Sequence, residues 1–147
     1  MTPTVRTQTP DDATVVATVT LSADRERLFR AFTDPAELAR WWWPERFATT
    51  YALDVRDGGA FRIRSDAADM GISGNYVEVA RPERLRMTWA WDGEQGVTNV
   101  AVEFREVDDG RTEVIVTHSA NASAEDRDNH AQGWRDCLSR LVELQAK

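Results

Sequence analysis

Residues 123–145, SAEDRDNHAQGWRDCLSRLVELQ, carry apolar side chains at helical spacing over about five turns. The apolar stripe runs through Trp134, Leu138 and Leu141. Ser123, followed by two acidic residues, is typical of a helix start. We therefore predict one long C-terminal helix that packs through this stripe on the rest of the chain.

The sequence before this helix has the period of β-strands. Between residues 50 and 118 apolar and polar residues alternate, and Asp57-Gly58-Gly59 and Asp108-Asp109-Gly110 are typical hairpin turns. A further strand is expected over residues 15–21, followed by two short helices, the second over residues 35–42. Successive hairpins give antiparallel strands. The order predicts an α+β fold, with a curved antiparallel sheet of about seven strands around the long helix.

The chain is expected to be one domain over residues 13–147, preceded by a flexible tail. Residues 1–12 are polar, contain two prolines and show no period, which favours a frayed segment. No run approaches the ~18 consecutive apolar residues of a membrane-spanning helix, and no secretory signal is visible. Stable membrane insertion is not expected, and the expected location is the cytoplasm.

Composition also argues against several kinds of partner. The net charge of −7 disfavours nucleic acid, since phosphate binding needs clustered cations. Cys137 is the only cysteine, and it lies in an apolar helical pattern that indicates a buried, inert thiol. The two histidines lack metal-ligand spacing, so neither a metal nor another cofactor is expected. A homodimer is left open.

Several short motifs resemble a known family. Phe32-Thr33-Asp34-Pro35, with Trp41-Trp42 after it, resembles the opening motif of the START-like superfamily, also called SRPBCC or helix-grip. Pro82-Glu83-Arg84-Leu85 and His130-x-x-Gly133-Trp134 are similar to the branch of the activator of heat-shock-chaperone ATPase. The resemblance covers residues 15 to 145. It implies a helix-grip fold with an internal cavity, and relatives that include lipid carriers, aromatic polyketide cyclases, hydrolase-like proteins and chaperone activators.

Aromatic residues are concentrated where this cavity is expected. Trp89 and Trp91 share strand parity with Met87 and should face the long helix. In the run Trp41-Trp42-Trp43, consecutive helical positions point about 100° apart, so one or two are expected in the core and the rest at the cavity mouth or surface. Each aromatic residue is also explained by ordinary core packing. The predicted cavity residues are Trp41, Trp42, Phe61, Tyr76, Met87, Trp89, Trp91, His118, His130 and Trp134.

The candidates for proton transfer are His118, His130 and Glu78. The two histidines titrate near neutrality and lie where a strand ends and the long helix begins, so they are positioned to converge. Glu78 is predicted to share a strand face with Tyr76, where burial would raise its pKa and suit it to act as a base. The simpler interpretations are hydrogen-bonded structural histidines and a solvated glutamate.

Three hypotheses for function follow. The first is a non-enzymatic carrier or sensor whose cavity binds a small hydrophobic or aromatic molecule. The second is a cavity enzyme of the polyketide cyclase or hydrolase type, which requires an unsatisfied polar side chain in the pocket. The third is a chaperone-interacting protein, which requires an exposed apolar patch.

Overall fold

The structure, a computed structural model, describes residues 3–146. Within this range one antiparallel sheet has the strand order β1-β2-β8-β7-β6-β5-β4-β3. Its strands are β1 (Arg6–Asp11), β2 (Thr14–Leu21), β3 (Thr50–Leu53), β4 (Ala60–Ser65), β5 (Met70–Ala80), β6 (Arg84–Trp91), β7 (Thr98–Asp108) and β8 (Arg111–Ser119). The helices are α1 (Arg25–Thr33), α2 (Pro35–Leu38) and α3 (Ala124–Gln145), with a 3-10 turn at Glu45–Phe47. The predicted helix-grip architecture is confirmed.

Helix α3 is the long helix that the C-terminal stripe predicts. The Ser123 side chain caps it by accepting a hydrogen bond of 3.1 Å from the backbone N–H of Asp126. Trp134, Leu138 and Leu141 are buried beneath it, and the helix packs against β2 and β1. Burying one leucine side chain stabilises the fold by about 1.5–3 kcal/mol, so this stripe favours packing of the helix on the sheet.

Part of the N-terminal segment that is predicted as a frayed tail forms a strand, and residues 1–2 of that tail lie outside the described residues. Residues Arg6–Asp11 form β1, whose Arg6 and Gln8 pair with Thr18 and Val16 of β2. Its side chains are almost all exposed, so the strand has no alternating apolar pattern that marks it in the sequence. This edge strand raises the count in the sheet to eight.

The second short helix is shorter than predicted. Asp34 caps α2 and Pro35 begins it, but the helix ends at Leu38 instead of continuing to Trp42. The chain then turns, and the N–H groups of Trp41 and Trp42 both reach the carbonyl of Leu38. The three tryptophans do not follow helical geometry, and all three are buried. Of the two positions expected for the tryptophan outside the core, the surface is therefore excluded, whereas Trp43 does line an internal void.

An arginine of α3 fixes this turn. Arg140 Nε donates to the Trp41 carbonyl at 3.0 Å, and Arg140 Nη2 donates to the Trp42 carbonyl at 2.5 Å. The guanidinium thereby satisfies backbone oxygens that the short helix leaves without partners. The tryptophan turn is therefore attached to the long helix by hydrogen bonds as well as by packing.

Strand β5 contains a β-bulge that changes the direction of its side chains. Tyr76 pairs with the buried Met87, whereas Glu78, only two residues later, pairs with Arg86 on the outer face. The extra residue is Val77, which is exposed. A bulge inserts one residue and reverses the inside–outside alternation beyond it. The prediction that Tyr76 and Glu78 share a face is therefore wrong.

No helix among residues 3–146 is both long and apolar enough to span a lipid bilayer.

Candidate functional site

Two histidines meet where the end of β8 faces the first turns of α3. The His118 and His130 rings are stacked, with centroids 4.0 Å apart and planes inclined by 26°. His118 is completely buried, and His130 is half-buried. The structure therefore brings together the two histidines that the sequence places at the ends of these elements.

Hydrogen bonds define the tautomer of His118. The Trp134 indole N–H donates to His118 Nδ1 at 3.0 Å, so this nitrogen carries no hydrogen. His118 Nε2 lies 2.7 Å from Thr98 Oγ1 and donates to it, while the Thr98 hydroxyl donates to the Trp89 carbonyl at 3.3 Å. Both ring nitrogens are thus in use while the imidazole is neutral.

His130 has the opposite tautomer. The Trp91 indole N–H donates to His130 Nε2 at 2.8 Å. Asn121 donates its amide N–H groups to the carbonyls of Ala13 and His118, so its amide oxygen accepts from His130 Nδ1 at 2.5 Å. No motif in the sequence marks Asn121 or Thr98, although both set the state of the pair.

Burial keeps both imidazoles neutral. Desolvation, with a smaller contribution from the charge of His130, lowers the pKa of His118 to about 3. Desolvation also lowers the pKa of His130, and the nearby Asp126 opposes this in part. Protonating either ring would add a hydrogen to the nitrogen that accepts the indole N–H. Two N–H groups would then face each other, and the hydrogen bond would be lost. The pair is therefore suited to positioning aromatic rings rather than to carrying protons at neutral pH.

The interior of the sheet holds little free space. A cavity of about 30 Å³ lies between α1, α2, α3 and the sheet, and its walls are almost wholly apolar. This is room for one water molecule or a methyl-sized group. The rings of Trp42, Trp89 and Trp134 fill the rest, packing mutually at centroid distances of 5.4–5.8 Å.

The predicted cavity residues divide into three groups. Six line the inner cavity: Trp42, Phe61, Tyr76, Met87, Trp89 and Trp134. Trp91 and His130 lie nearer the surface. Trp41 and His118 are core residues outside the inner cavity wall, and the Trp41 indole donates to the Ala31 carbonyl at 3.0 Å.

A larger space opens at the surface beside the histidines. This cleft has a volume of about 360 Å³, and Trp89, Trp91 and His130 form its floor. One wall is the loop between β6 and β7, and the other contains Asn121, Asp126 and Asn129. Glu94 and Asp126 are its charged lining groups, so the cleft has an acidic rim.

An intermediate void of about 50 Å³ lies between the cleft and the inner cavity. It shares Trp91 and His130 with the cleft, and Trp42 and Trp134 with the inner cavity. Gly133 also lines it, and a Cβ added there would meet no atom of a neighbouring segment within 4 Å. The three spaces thus follow one another inward along a wall of tryptophans.

Glu78 lies away from these spaces. It accepts two hydrogen bonds from Arg84, at 2.8 and 3.0 Å, and the pairing lowers the pKa of its carboxyl group. Cys137 is buried, its thiol donates to the Trp42 carbonyl at 3.2 Å, and burial raises its pKa to about 12. The glutamate is thus an outer-face ion-pair partner, and the cysteine remains a thiol at neutral pH.

Comparison with known proteins identifies related sequences and folds. A family model described as Activator of Hsp90 ATPase homolog 1-like protein matches residues 22–146. Protein CV1439 from Chromobacterium violaceum is 28% identical, with a TM-score of 0.79 over 92% of this chain and 98% of that one. An HSP90 activator from Plasmodium falciparum is 22% identical, with a TM-score of 0.74 over 91% and 96% of the two chains.

A third similar structure is CalU16 from Micromonospora echinospora, at 22% identity and a TM-score of 0.76, covering 97% of this chain and 83% of that one. No curated protein matches the chain in sequence. At 22% identity the structural likenesses show a shared fold, and the family model carries the assignment of the sequence.

Proposed function

The chain belongs to the Activator of Hsp90 ATPase homolog 1-like protein family, and within it we propose a carrier or sensor that binds one small hydrophobic or aromatic molecule. The ligand lies in the cleft over Trp91 and His130. The observation that carries this proposal is the contrast between the cleft of about 360 Å³ and the inner cavity of about 30 Å³. Small-molecule sites usually occupy about 300–1,000 Å³, so the cleft has the size for a compact ligand.

The floor of the cleft is suited to a flat guest. Trp91 and His130 have nearly parallel rings, with centroids 6.1 Å apart and planes inclined by 13°, and the hydrogen bond between them fixes their relative position. Rigid aromatic surfaces offer a large contact area with little loss of side-chain entropy on binding. The floor is therefore already organised before a ligand arrives.

The state of the histidines favours a binding role over catalysis. General acid–base catalysis needs a group that exchanges a proton with the substrate near the working pH. All four ring nitrogens of His118 and His130 are engaged with protein groups, and burial lowers both pKa values. A cyclase or hydrolase would have to break this network in each catalytic cycle.

A chaperone-interacting role receives less support from the surface. Such a role predicts a contiguous exposed apolar patch. The large apolar side chains that are well exposed between residues 3 and 146 are Val77, Val97 and Val107, on two different strands and a loop. Isolated exposed valines are ordinary on soluble proteins.

Titration with N-phenyl-1-naphthylamine, a neutral dye that brightens in apolar surroundings, tests the proposal. We expect saturation at one site per chain, with quenching of tryptophan emission. Val97→Arg, at the rim of the cleft, should weaken binding about tenfold, which corresponds to about 1.4 kcal/mol. Val107→Arg is the matched control, because Val107 is also exposed and lies at the far end of β7. Absence of dye binding to the folded protein, or equal effects of the two variants, would contradict the proposal.

A further inference from the structure

We propose that the indole N–H groups of Trp89 and Trp42 recognise a hydrogen-bond acceptor on the ligand, so that the site prefers neutral aromatic carbonyl compounds to aromatic hydrocarbons of the same shape. This inference rests on the proposed function and specifies the chemical class of its ligand.

The tryptophans differ in the pairing of their indole N–H groups. The buried Trp41 and Trp134 and the partly buried Trp91 each donate to a protein acceptor, at 3.0, 3.0 and 2.8 Å respectively. Trp42 and Trp89 are each only 4% exposed, and their indole N–H groups have no hydrogen-bond partner in the described part of the chain. An unpaired buried donor destabilises the folded protein, so two of them in one cluster require an explanation.

The positions of Trp89 and Trp42 beside the three spaces explain these unpaired donors. Trp89 lines the cleft, the intermediate void and the inner cavity, and Trp42 lines the two inner spaces. The two rings pack edge to face with centroids 5.8 Å apart. A ligand that lies on Trp91 and extends inward past His130 therefore meets the Trp89 ring first and the Trp42 ring next. Both indole nitrogens are closed off in this structure, so the ligand oxygen reaches them only as the neighbouring side chains shift.

The chemistry of these groups restricts the ligand. An indole N–H only donates, so its partner must be an acceptor such as a carbonyl or ether oxygen. Carboxylate and phosphate ligands are disfavoured, because Glu94 and Asp126 are the charged groups among the described lining residues of the cleft, and none of these residues is lysine or arginine. A neutral, flat molecule with a carbonyl oxygen at one end satisfies both conditions.

The unpaired donors of the free protein also increase the affinity for a ligand that carries an acceptor. The cost of leaving the two donors unpaired is already present before binding. A carbonyl that reaches them removes part of that cost, whereas a hydrocarbon leaves it in place. Sites that hydrogen-bond a ligand group discriminate strongly against analogues that lack it.

The test uses 2-acetylnaphthalene and 2-ethylnaphthalene, which match in shape and differ in the carbonyl oxygen. We expect 2-acetylnaphthalene to bind about tenfold more tightly in competition with the neutral dye, from one to two net hydrogen bonds. In ¹H–¹⁵N spectra of the free protein, the indole protons of Trp42 and Trp89 should resonate upfield of those of Trp41, Trp91 and Trp134. On addition of 2-acetylnaphthalene at least one of the two should move downfield.

Trp89→Phe keeps an aromatic ring and removes the donor, so it should bring the affinity ratio of the two compounds toward one. If this variant does not fold, the ¹H–¹⁵N spectra of the wild-type protein show whether the indole N–H groups of Trp42 and Trp89 contact the ligand. Equal affinities, or Trp42 and Trp89 signals that do not move, overturn this inference and leave the ligand-binding proposal standing. Failure of both naphthalenes and the dye to bind overturns the two together.

Discussion

His118 and His130 stack face to face with their ring centroids 4.0 Å apart. His118 accepts a hydrogen bond from Trp134, and His130 accepts one from Trp91. The four rings therefore form a continuous chain that joins β6, β8 and α3 at one end of the sheet. Since each imidazole must be neutral to accept from its indole, the geometry of the cleft floor depends on the protonation state of this histidine pair.

This dependence predicts that acid weakens the fold through His118. The pKa of His118 is about 3 in the folded protein, whereas a histidine that is exposed to water, as in the unfolded chain, has a pKa of 6.5. Between these values the unfolded chain binds a proton that the folded protein does not. The free energy of unfolding should therefore fall as the pH decreases from 6.5 toward 3, by about 1.4 kcal/mol per pH unit from this group. The lowered pKa of His130 acts in the same direction.

Urea denaturation at pH 7.5, 6.5, 5.5 and 4.5 measures this dependence. His118→Gln is the matched variant, since glutamine has an acceptor for Trp134 and a donor for Thr98 but does not titrate. The carboxylates change the free energy of unfolding with pH by the same amount in both proteins. The free energy of unfolding of the wild type should therefore fall more steeply than that of the variant below pH 6.5. Parallel curves would contradict a His118 pKa of about 3.

The apolar stripe of α3 predicts a large effect at Leu141. This side chain is completely buried beneath the helix. Leu141→Ala should lower the free energy of unfolding by about 2–5 kcal/mol, because it removes buried methyl groups and leaves a cavity. Ser139→Ala, on the exposed face of the same helix, is the control and should change stability by less than about 0.5 kcal/mol. A loss below about 1 kcal/mol for Leu141→Ala would mean that the helix does not dock through this residue.

The main elements of the fold were predictable because their patterns are local. Ser123 and the Trp134–Leu138–Leu141 stripe predict α3, and hairpin turns between alternating runs predict the antiparallel sheet. The motifs also indicated the family, which the family model confirms. Strand β1 was missed because an exposed edge strand buries no alternating face.

The arrangement of the site depends on contacts that no local pattern records. The bulge at Val77 reverses the direction of Glu78, and the early end of α2 turns all three consecutive tryptophans inward. The sequence gives the number of large aromatic rings but not the volume that they leave unfilled. It likewise does not reveal that Asn121 and Thr98 satisfy the histidines, since these partners lie far from them in sequence or carry no motif.

The position of Glu78 yields a negative prediction for ligand binding. Its carboxylate pairs with Arg84 on the outer face of the sheet, away from the cleft. Glu78→Gln should leave the affinity for the neutral dye unchanged within about twofold, since none of the cleft contacts is altered. A loss of binding in a variant whose circular dichroism is unchanged would show that the outer face communicates with the cleft.

Gly133 allows stability and binding to be separated in one substitution. Glycine within a helix costs about 0.5–1 kcal/mol relative to alanine, and a Cβ at this position would meet no neighbouring atom within 4 Å. Gly133→Ala should therefore raise the free energy of unfolding by up to about 1 kcal/mol. Gly133 also lines the intermediate void of about 50 Å³ that leads inward from the cleft, so the same substitution tests whether the ligand extends along this path. If the ligand extends along this path, the variant should bind 2-acetylnaphthalene several-fold more weakly while being more stable than the wild type.

Ser139→Ala changes an exposed position of the same helix and should leave the affinity unchanged. A more stable protein with unaltered affinity would confine the ligand to the outer cleft, and a less stable one would contradict the open geometry around Gly133.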